Sequence, residues 1–98
     1  MRVFLDDERQ TPEGWVRTYS VEETIRLLET GKVTHVSLDN DLGDDVPEGY
    51  LVADWLDERS FLDPTYPVPV ITVHSSNAAR LDHMRRAIEA IQRRRNAP

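Results

Sequence analysis

The chain has 98 residues, 39% of them hydrophobic and 31% charged, the size and balance of one modest α/β-sized globular domain spanning 1–98 rather than of a disordered or fibrous chain. It contains no cysteine, which excludes a disulfide framework, a zinc–thiolate site and a cysteine nucleophile. The net charge of −6 is polarised: from Arg80 onward six arginines face only Asp82 and Glu89, giving +4, so the rest carries −10, a poor balance for generic binding to nucleic-acid backbone.

Arg2–Leu5 is a short apolar run ending in Asp6-Asp7 and reads as a buried strand. So early an acidic turn is not that of a signal peptide, and the longest apolar runs fall far short of the ~18 residues of a membrane span, so a cytoplasmic protein with no membrane partner is expected. Thr11-Pro12-Glu13-Gly14 punctuates a turn. Trp15–Tyr19 is aromatic and β-branched, a second strand suited to a sheet edge. Ser20 and Glu23 form a capping box, opening a helix with Val21, Ile25 and Leu28 on one face, and Gly31 is placed to stop it. Val33–Leu38 is the third strand, followed by Asp39-Asn40-Asp41 and the loop Leu42–Glu48. Gly49–Arg59 reads as a helix burying Leu51, Val52, Trp55 and Leu56. Ser60–Pro67 is a connector, and Val68–Val73 is the most apolar strand, with Pro69 tolerable near its start. His74-Ser75-Ser76-Asn77 offers helix-cap residue types. Ala78 to about Arg94 is the last helix, with Leu81, Met84, Ile88 and Ile91 aligned and three terminal arginines complementing its C-terminus.

Strands of near-continuous apolar character separated by helices indicate a parallel sheet covered on both faces, a three-layer sandwich with right-handed crossovers. Ligands bind such sheets beyond the carboxyl ends of the strands. Three strand ends carry polar chemistry: Asp6-Asp7, Asp39-Asn40-Asp41 and His74-Ser75. Carboxylates on adjacent strand tips stand ~5 Å apart, so one cation can bridge them. Magnesium takes hard oxygen ligands together with a substrate phosphate. Asp6, Asp7 and Asp39 are therefore expected to ligate Mg²⁺ or Mn²⁺, with Asp41 a ligand or the partner of one. Without a cation, repulsion raises at least one pKa. His74 is the candidate general acid or base, or a phosphate contact. Arg9, Ser75, Asn77 and the last helix's N-terminus are candidates for holding phosphate. Asp44 and Asp45 read as solvated loop residues, His35 and His83 as structural or solvent-facing, Trp15 as an edge-strand cover and Trp55 as a core anchor. A calcium loop starting at Asp39 is excluded, because Asp44 and Tyr50 stand where glycine and glutamate are needed.

Phe4-Leu5-Asp6-Asp7, Ser37-Leu38-Asp39 and Pro69–Ser75 resemble three signatures of response-regulator receiver domains. In that family Asp6 and Asp7 would match the magnesium-binding acidic pair and Asp39 the phosphoacceptor, while His74 falls at the place of a phosphorylation-sensing threonine or serine. Asp7 and Asp39 are only 32 positions apart, the helix after the first strand is replaced by a turn, and the fifth strand with its lysine has no counterpart. A closer likeness accounts for these departures. Leu-Asp-Asp-x-Arg (Leu5–Arg9), Thr-Pro-x-Gly-Trp (Thr11–Trp15), Ser-Leu-Asp-x-Asp-Leu-Gly (Ser37–Gly43) and His-Ser-x-Asn (His74–Asn77) are similar, in order, to the cyclic-phosphate processing receiver domains. Asn40 stands where that pattern often has histidine.

This resemblance implies a truncated receiver or flavodoxin-like α/β fold, with about four parallel strands in the order 2-1-3-4 and three helices. It implies bacterial or phage proteins acting on cyclic-phosphate nucleotide ends in RNA processing. The expected function is a Mg-dependent domain acting on or binding 2′,3′-cyclic or terminal phosphate ends, with Asp39 and His74 the candidate catalytic groups. The last helix's arginines would steer a short RNA. The alternative is an inactive pseudo-receiver serving as a regulatory or protein-binding module. Asp39-Asn40-Asp41 is also similar to the Asp-x-Asp of haloacid-dehalogenase-like phosphatases, but those aspartates follow the first strand and need a longer chain with a lysine. An acid pair plus Asp-x-Asp also resembles topoisomerase–primase domains.

Overall fold

The computed structural model describes residues 1–96, and Ala97 and Pro98, the end of the expected domain, lie outside them. The elements are β1 (Arg2–Leu5), β2 (Val16–Thr18), α1 (Val21–Glu29), β3 (His35–Asp39), α2 (Tyr50–Leu62), β4 (Val70–His74) and α3 (Ala78–Asn96). The strands form one parallel sheet in the expected order β2-β1-β3-β4, an α/β receiver-like fold.

Local chemistry sets the bounds of α1. The Ser20 hydroxyl accepts the Glu23 N–H at 3.2 Å and donates to the Glu23 carboxylate at 3.3 Å, which closes the first turn. Past the last turn, Gly31 sits at φ +71 and donates its N–H to Leu28, a left-handed position that glycine takes without a Cβ penalty.

Helix α2 departs from expectation. It continues to Leu62, through part of the expected Ser60–Pro67 connector. Ser60 is buried, its hydroxyl donates to the Asp57 carbonyl, and Arg94 of α3 pairs with the Asp57 carboxylate at 2.7 Å. Packing against α3 through Asp57 and Ser60 thus holds a last turn whose apolar residues, Phe61 and Leu62, are exposed. The buried face is Val52, Ala53, Leu56 and Ser60, whereas Leu51 is exposed. Residues 51–56 are apolar on more than one side, so the neighbouring helix selects the stripe. Trp55 is only half-buried. The anchoring aromatic is Tyr66, which is buried, meets Trp55 edge-on at 5.9 Å and donates its hydroxyl to the Leu28 carbonyl at 2.7 Å.

Register assigns the two faces of the sheet. Val3, Leu5, Val36 and Leu38, with Ile71 and Val73 of β4, share one face and pack with Leu28 of α1, Leu56 of α2 and Met84 of α3 in one core. All three helices therefore lie on that side. Phe4, Ser37 and Thr72 form a row on the other side, where Trp15 stands edge-on to Phe4 at 6.4 Å and to His35 at 6.3 Å. Trp15 is thus the cover the sequence suggested. Of the irregular crossover from Asp6, Trp15 packs on this side and most of the rest is exposed, and among the described residues no helix lies here, so the cover expected on both faces is helical on one only. β4, the most apolar strand, takes the sheet edge opposite β2, which leaves Val70 60% exposed. No helix of the described residues is long and apolar enough to cross a membrane.

Candidate functional site

The carboxyl ends of β1, β3 and β4 open on one cleft of about 780 Å³, whose walls include Asp6, Asp7, Arg9, Asp39, Asp41, His74 and Ser75. Asp6, the first residue after β1, is only 1% exposed. Its Oδ1 accepts the N–H groups of Glu8 at 2.8 Å and Arg9 at 2.9 Å, a turn that aspartate forms with its own following backbone. Its Oδ2 is buried and has no hydrogen-bond partner. Nε2 of His74 stands 3.7 Å away, equally buried and unpaired, and Nε of Arg9 lies at 3.8 Å. Both separations exceed hydrogen-bond length. Asp39 is in register with His74 across β3 and β4. Asp6, Asp39 and His74 each offer a ligand atom within 4.8 Å of the others.

Two orphaned polar atoms facing each other in a buried cluster cost free energy until a partner enters. The donor set, two carboxylates and one imidazole, fits a divalent cation. The titration of the pair agrees. Burial pushes the Asp6 carboxyl up, but the Arg9 and Glu8 N–H groups, then the charges of Arg9 and His74, outweigh it and hold it below the ordinary aspartate value. Asp39 is held above that value, by burial first and by the Asp6 charge as well, against the N–H of Asp41. Asp6 is thus kept ionised by its N–H donors and neighbouring cations, while Asp39 is raised chiefly by burial and further by the Asp6 charge.

The sign of the pH dependence follows. A raised pKa means that the stability Asp39 contributes is present at low pH and lost as pH rises through its folded value. The depressed Asp6 does the opposite, and its contribution disappears only as pH falls below the ordinary range. A cation needs Asp39 ionised, so its stabilising effect should be full near neutrality and shrink as pH falls through the raised Asp39 value, before ordinary aspartates protonate. Melting curves with and without Mn²⁺ from about pH 7 to about pH 4 measure this. A gain that stays flat across that range would remove Asp39 from the ligand set.

The other expected residues are placed differently. Asp7 lines the cleft but lies outside the three-residue cluster. Asp41 is exposed, and its Oδ2 accepts the Ser75 hydroxyl at 3.0 Å, the Ser76 N–H at 3.1 Å and the Ser76 hydroxyl at 3.2 Å. Despite some desolvation, these donors keep its pKa low. Asp41 therefore braces the loop after β3 against the loop after β4. Ser75 also accepts the Asn77 N–H at 3.0 Å, and Asn77 Oδ1 caps α3 by accepting the Arg80 N–H at 3.2 Å. Arg9 is exposed beside Asp6. Asp44 and Asp45 are exposed, as expected. His35 and His83 lie elsewhere, bonded to Thr34 and Asp54.

Two residues matter more than the sequence reading allowed. Asn40 is completely buried, accepts the Tyr50 N–H at 2.9 Å and donates to Glu48 at 3.0 Å. It clamps the start of α2 to the strand ends. Gly49 donates its N–H to the Asn40 carbonyl, and a Cβ on it would stand 2.0 Å from the Asp39 carbonyl oxygen. In the sequence, Gly49 stands out only as the first residue of the second helix, and Asn40 only as the position where the family pattern often has histidine.

The basic helix does not bring its terminal arginines to the cleft. Arg80 lies near it, paired with Glu48 at 3.3 Å and stacked on Tyr50 at 4.5 Å. Arg94 pairs with Asp57, and Arg95 donates to the Tyr66 carbonyl. Fourteen residues of helix put Arg94 ~21 Å along the axis from Arg80, so steering by Arg93–Arg95 would act far from the site.

A family model described as the cyclic-phosphate processing receiver domain matches residues 1–90. No curated protein and no solved structure matches the chain.

Proposed function

The chain belongs to the cyclic-phosphate processing receiver domain family, and from that membership we propose that its Asp6–Asp39–His74 cleft holds Mg²⁺ or Mn²⁺ and acts on the 2′,3′-cyclic or terminal phosphate of a nucleotide or short RNA end. The observation that carries this reading is the pair of buried, unpartnered atoms, Asp6 Oδ2 and His74 Nε2, facing each other at 3.7 Å. A divalent cation, when bound, would neutralise phosphate oxygens in a cleft otherwise too acidic for an anion.

The protein's own groups supply the rest. The Glu8 and Arg9 N–H groups fix the Asp6 carboxylate so that Oδ2 stays turned toward the cluster. The Asp41 N–H does the same for Asp39 at 3.1 Å. With the cation held by the Asp6 and Asp39 carboxylates alone, Nε2 of His74 would stay free to give a proton to a departing ribose oxygen or to take one from water. Arg9, exposed at the rim, can add guanidinium donors to a phosphate.

The test is a panel of oligonucleotides ending in cyclic phosphate, monophosphate or hydroxyl, with and without cation, read by calorimetry and end-group analysis. Cation-dependent preference for the phosphorylated ends is expected, with conversion of the cyclic one. His74→Ala should lower turnover more than binding if Nε2 moves a proton, and both alike if it only contacts phosphate. Indifference to all three ends would overturn the reading.

One observation favours the alternative, a pseudo-receiver that binds without turnover: Asp41, Ser75 and Asn77 are already engaged in bracing loops and capping α3. Either way, the sole lysine, Lys32, lies just after α1, where its carbonyl accepts from the N-terminal amine. No ammonium is thus available to hold a phosphoryl group on Asp39. A small phosphodonor with Mg²⁺ should give no long-lived aspartyl phosphate. Intact-mass spectra showing a stable adduct that disappears in Asp39→Asn would revive a signalling role.

A further inference from the structure

We propose that the hollow beside the acidic cleft, between Tyr19 and the Val46-Pro47 turn, is a nucleobase subsite, so that the substrate is a mononucleotide or the unpaired last nucleotide of a strand; this rests on the phosphate-end reading above. β2 ends at Thr18, which puts Tyr19 at the same carboxyl edge of the sheet as the phosphate site. Tyr19 is 56% exposed and Val46 46% exposed, a large apolar area left open beside a polar cleft. The hollow measures about 250 Å³ and is lined by Tyr19, Ser20, Val21, Leu42, Val46 and Pro47, among others. Leu42 and Val46 also line the acidic cleft, so a ligand lying across them touches both.

Size and charge select the occupant. Pockets for whole drug-sized ligands run to about 300–1,000 Å³, so this hollow takes one ring system and leaves the remainder of the ligand in the cleft. That cleft is lined by acidic side chains and repels further backbone phosphates, while the terminal arginines of α3 lie at the far end of their helix. Backbone pairing along a strand or duplex therefore contributes little. One phosphate on a cation and one base on an aromatic ring remain. The Arg17 guanidinium lies 5.1 Å from the Tyr19 ring centre, and its Nε and Nη2 make no hydrogen bond among the described residues. It holds the ring by cation–π attraction, while the ring's exposed area stays open for stacking. Ser20 spends its hydroxyl on capping α1, so stacking, which every base offers, dominates over base-specific hydrogen bonding.

The experiment compares adenosine 2′,3′-cyclic monophosphate, base-free glycerol cyclic phosphate and plain adenosine, by calorimetry and amide-shift mapping with Mn²⁺ replaced by Mg²⁺ for the spectra. Tyr19→Ala should weaken the nucleotide about tenfold and leave glycerol cyclic phosphate unchanged, while Tyr19→Phe behaves as the parent. Adenosine alone should shift Val21, Leu42 and Val46. If glycerol cyclic phosphate shifts Asp39 and His74 but no nucleoside compound shifts the Tyr19 hollow, the subsite is overturned and the phosphate reading stands. If adenosine shifts the hollow but no cyclic phosphate reaches Asp39, the subsite stands and the phosphate reading falls. Equal loss of both cyclic phosphates in Tyr19→Ala also overturns the subsite.

Discussion

Millimolar Mg²⁺ or Mn²⁺ should raise the melting temperature by on the order of 10 °C, and Asp39→Asn should remove nearly all of that gain. A ligand that binds only the folded chain adds about 2.7 kcal/mol at 100 times its Kd. In a domain of this size each 1 kcal/mol moves the midpoint by roughly 4–8 °C. A cation bound there would relieve a cost already visible in the fold: Asp39 is held above its ordinary pKa by burial and by Asp6, and Asp6 Oδ2 has no partner. Asparagine at position 39 relieves the same repulsion without metal. The metal-free variant should therefore melt above the metal-free parent near neutral pH and respond little to either ion. Asp44→Asn, in the exposed loop, should keep the full response. Asp41→Asn should lower the melting temperature by weakening the Ser75–Ser76 brace and yet retain most of the cation gain, which separates bracing from ligation. Differential scanning calorimetry of the four proteins decides the matter, and an Asp39→Asn protein with an undiminished response would sink the site.

Gly49→Ala should be as damaging as the loss of a core residue. The added methyl would stand 2.0 Å from the Asp39 carbonyl oxygen, 2.9 Å from its carbonyl carbon and 3.0 Å from Asn40 Cα. All three are backbone atoms of a central strand's end, so no side chain can swing away. Overpacking costs about 1–3 kcal/mol where neighbours can adjust. Here the start of α2 must lift from the strand end and stretch the Gly49–Asn40 and Tyr50–Asn40 hydrogen bonds. A loss of about 3 kcal/mol and a midpoint lowered by more than 10 °C are expected, together with a weaker cation response because Asp39 moves. Ala53→Gly in the same helix serves as the comparison: it costs stability through helix propensity and a small cavity but leaves Asp39 in place. A Gly49→Ala protein with normal melting and normal cation response would show that the contact relaxes at little cost.

Much of this was legible along the chain. The Ser20 capping box, the stop at Gly31, the four strands and the convergence of Asp6, Asp39 and His74 on one edge all follow from neighbours in sequence or from the rule that parallel sheets open at their carboxyl ends. The family match over residues 1–90 bears out the resemblance and, with it, the fold. Local pattern failed where partners distant in sequence decide. Helix α2 continues to Leu62 because Arg94 and Ser60 meet across the α2–α3 interface, and Leu51 points outward because that interface chooses among several apolar stripes.

The same division runs through the site. By itself the sequence determined which residue types stand at the three strand ends, because strand alternation and turn chemistry act over a few residues. Only the tertiary structure decided which of them remain free to bind anything. Asp41, Ser75 and Asn77 carry the right atoms, but the loops after β3 and β4 lie side by side and satisfy those atoms with one another. Asp6 Oδ2 and His74 Nε2 are left without partners because burial excludes water and their separation, set by the spacing of β1, β3 and β4, is too long for a mutual hydrogen bond. An unmet valence of that kind is a property of packing, invisible to any reading of residue order.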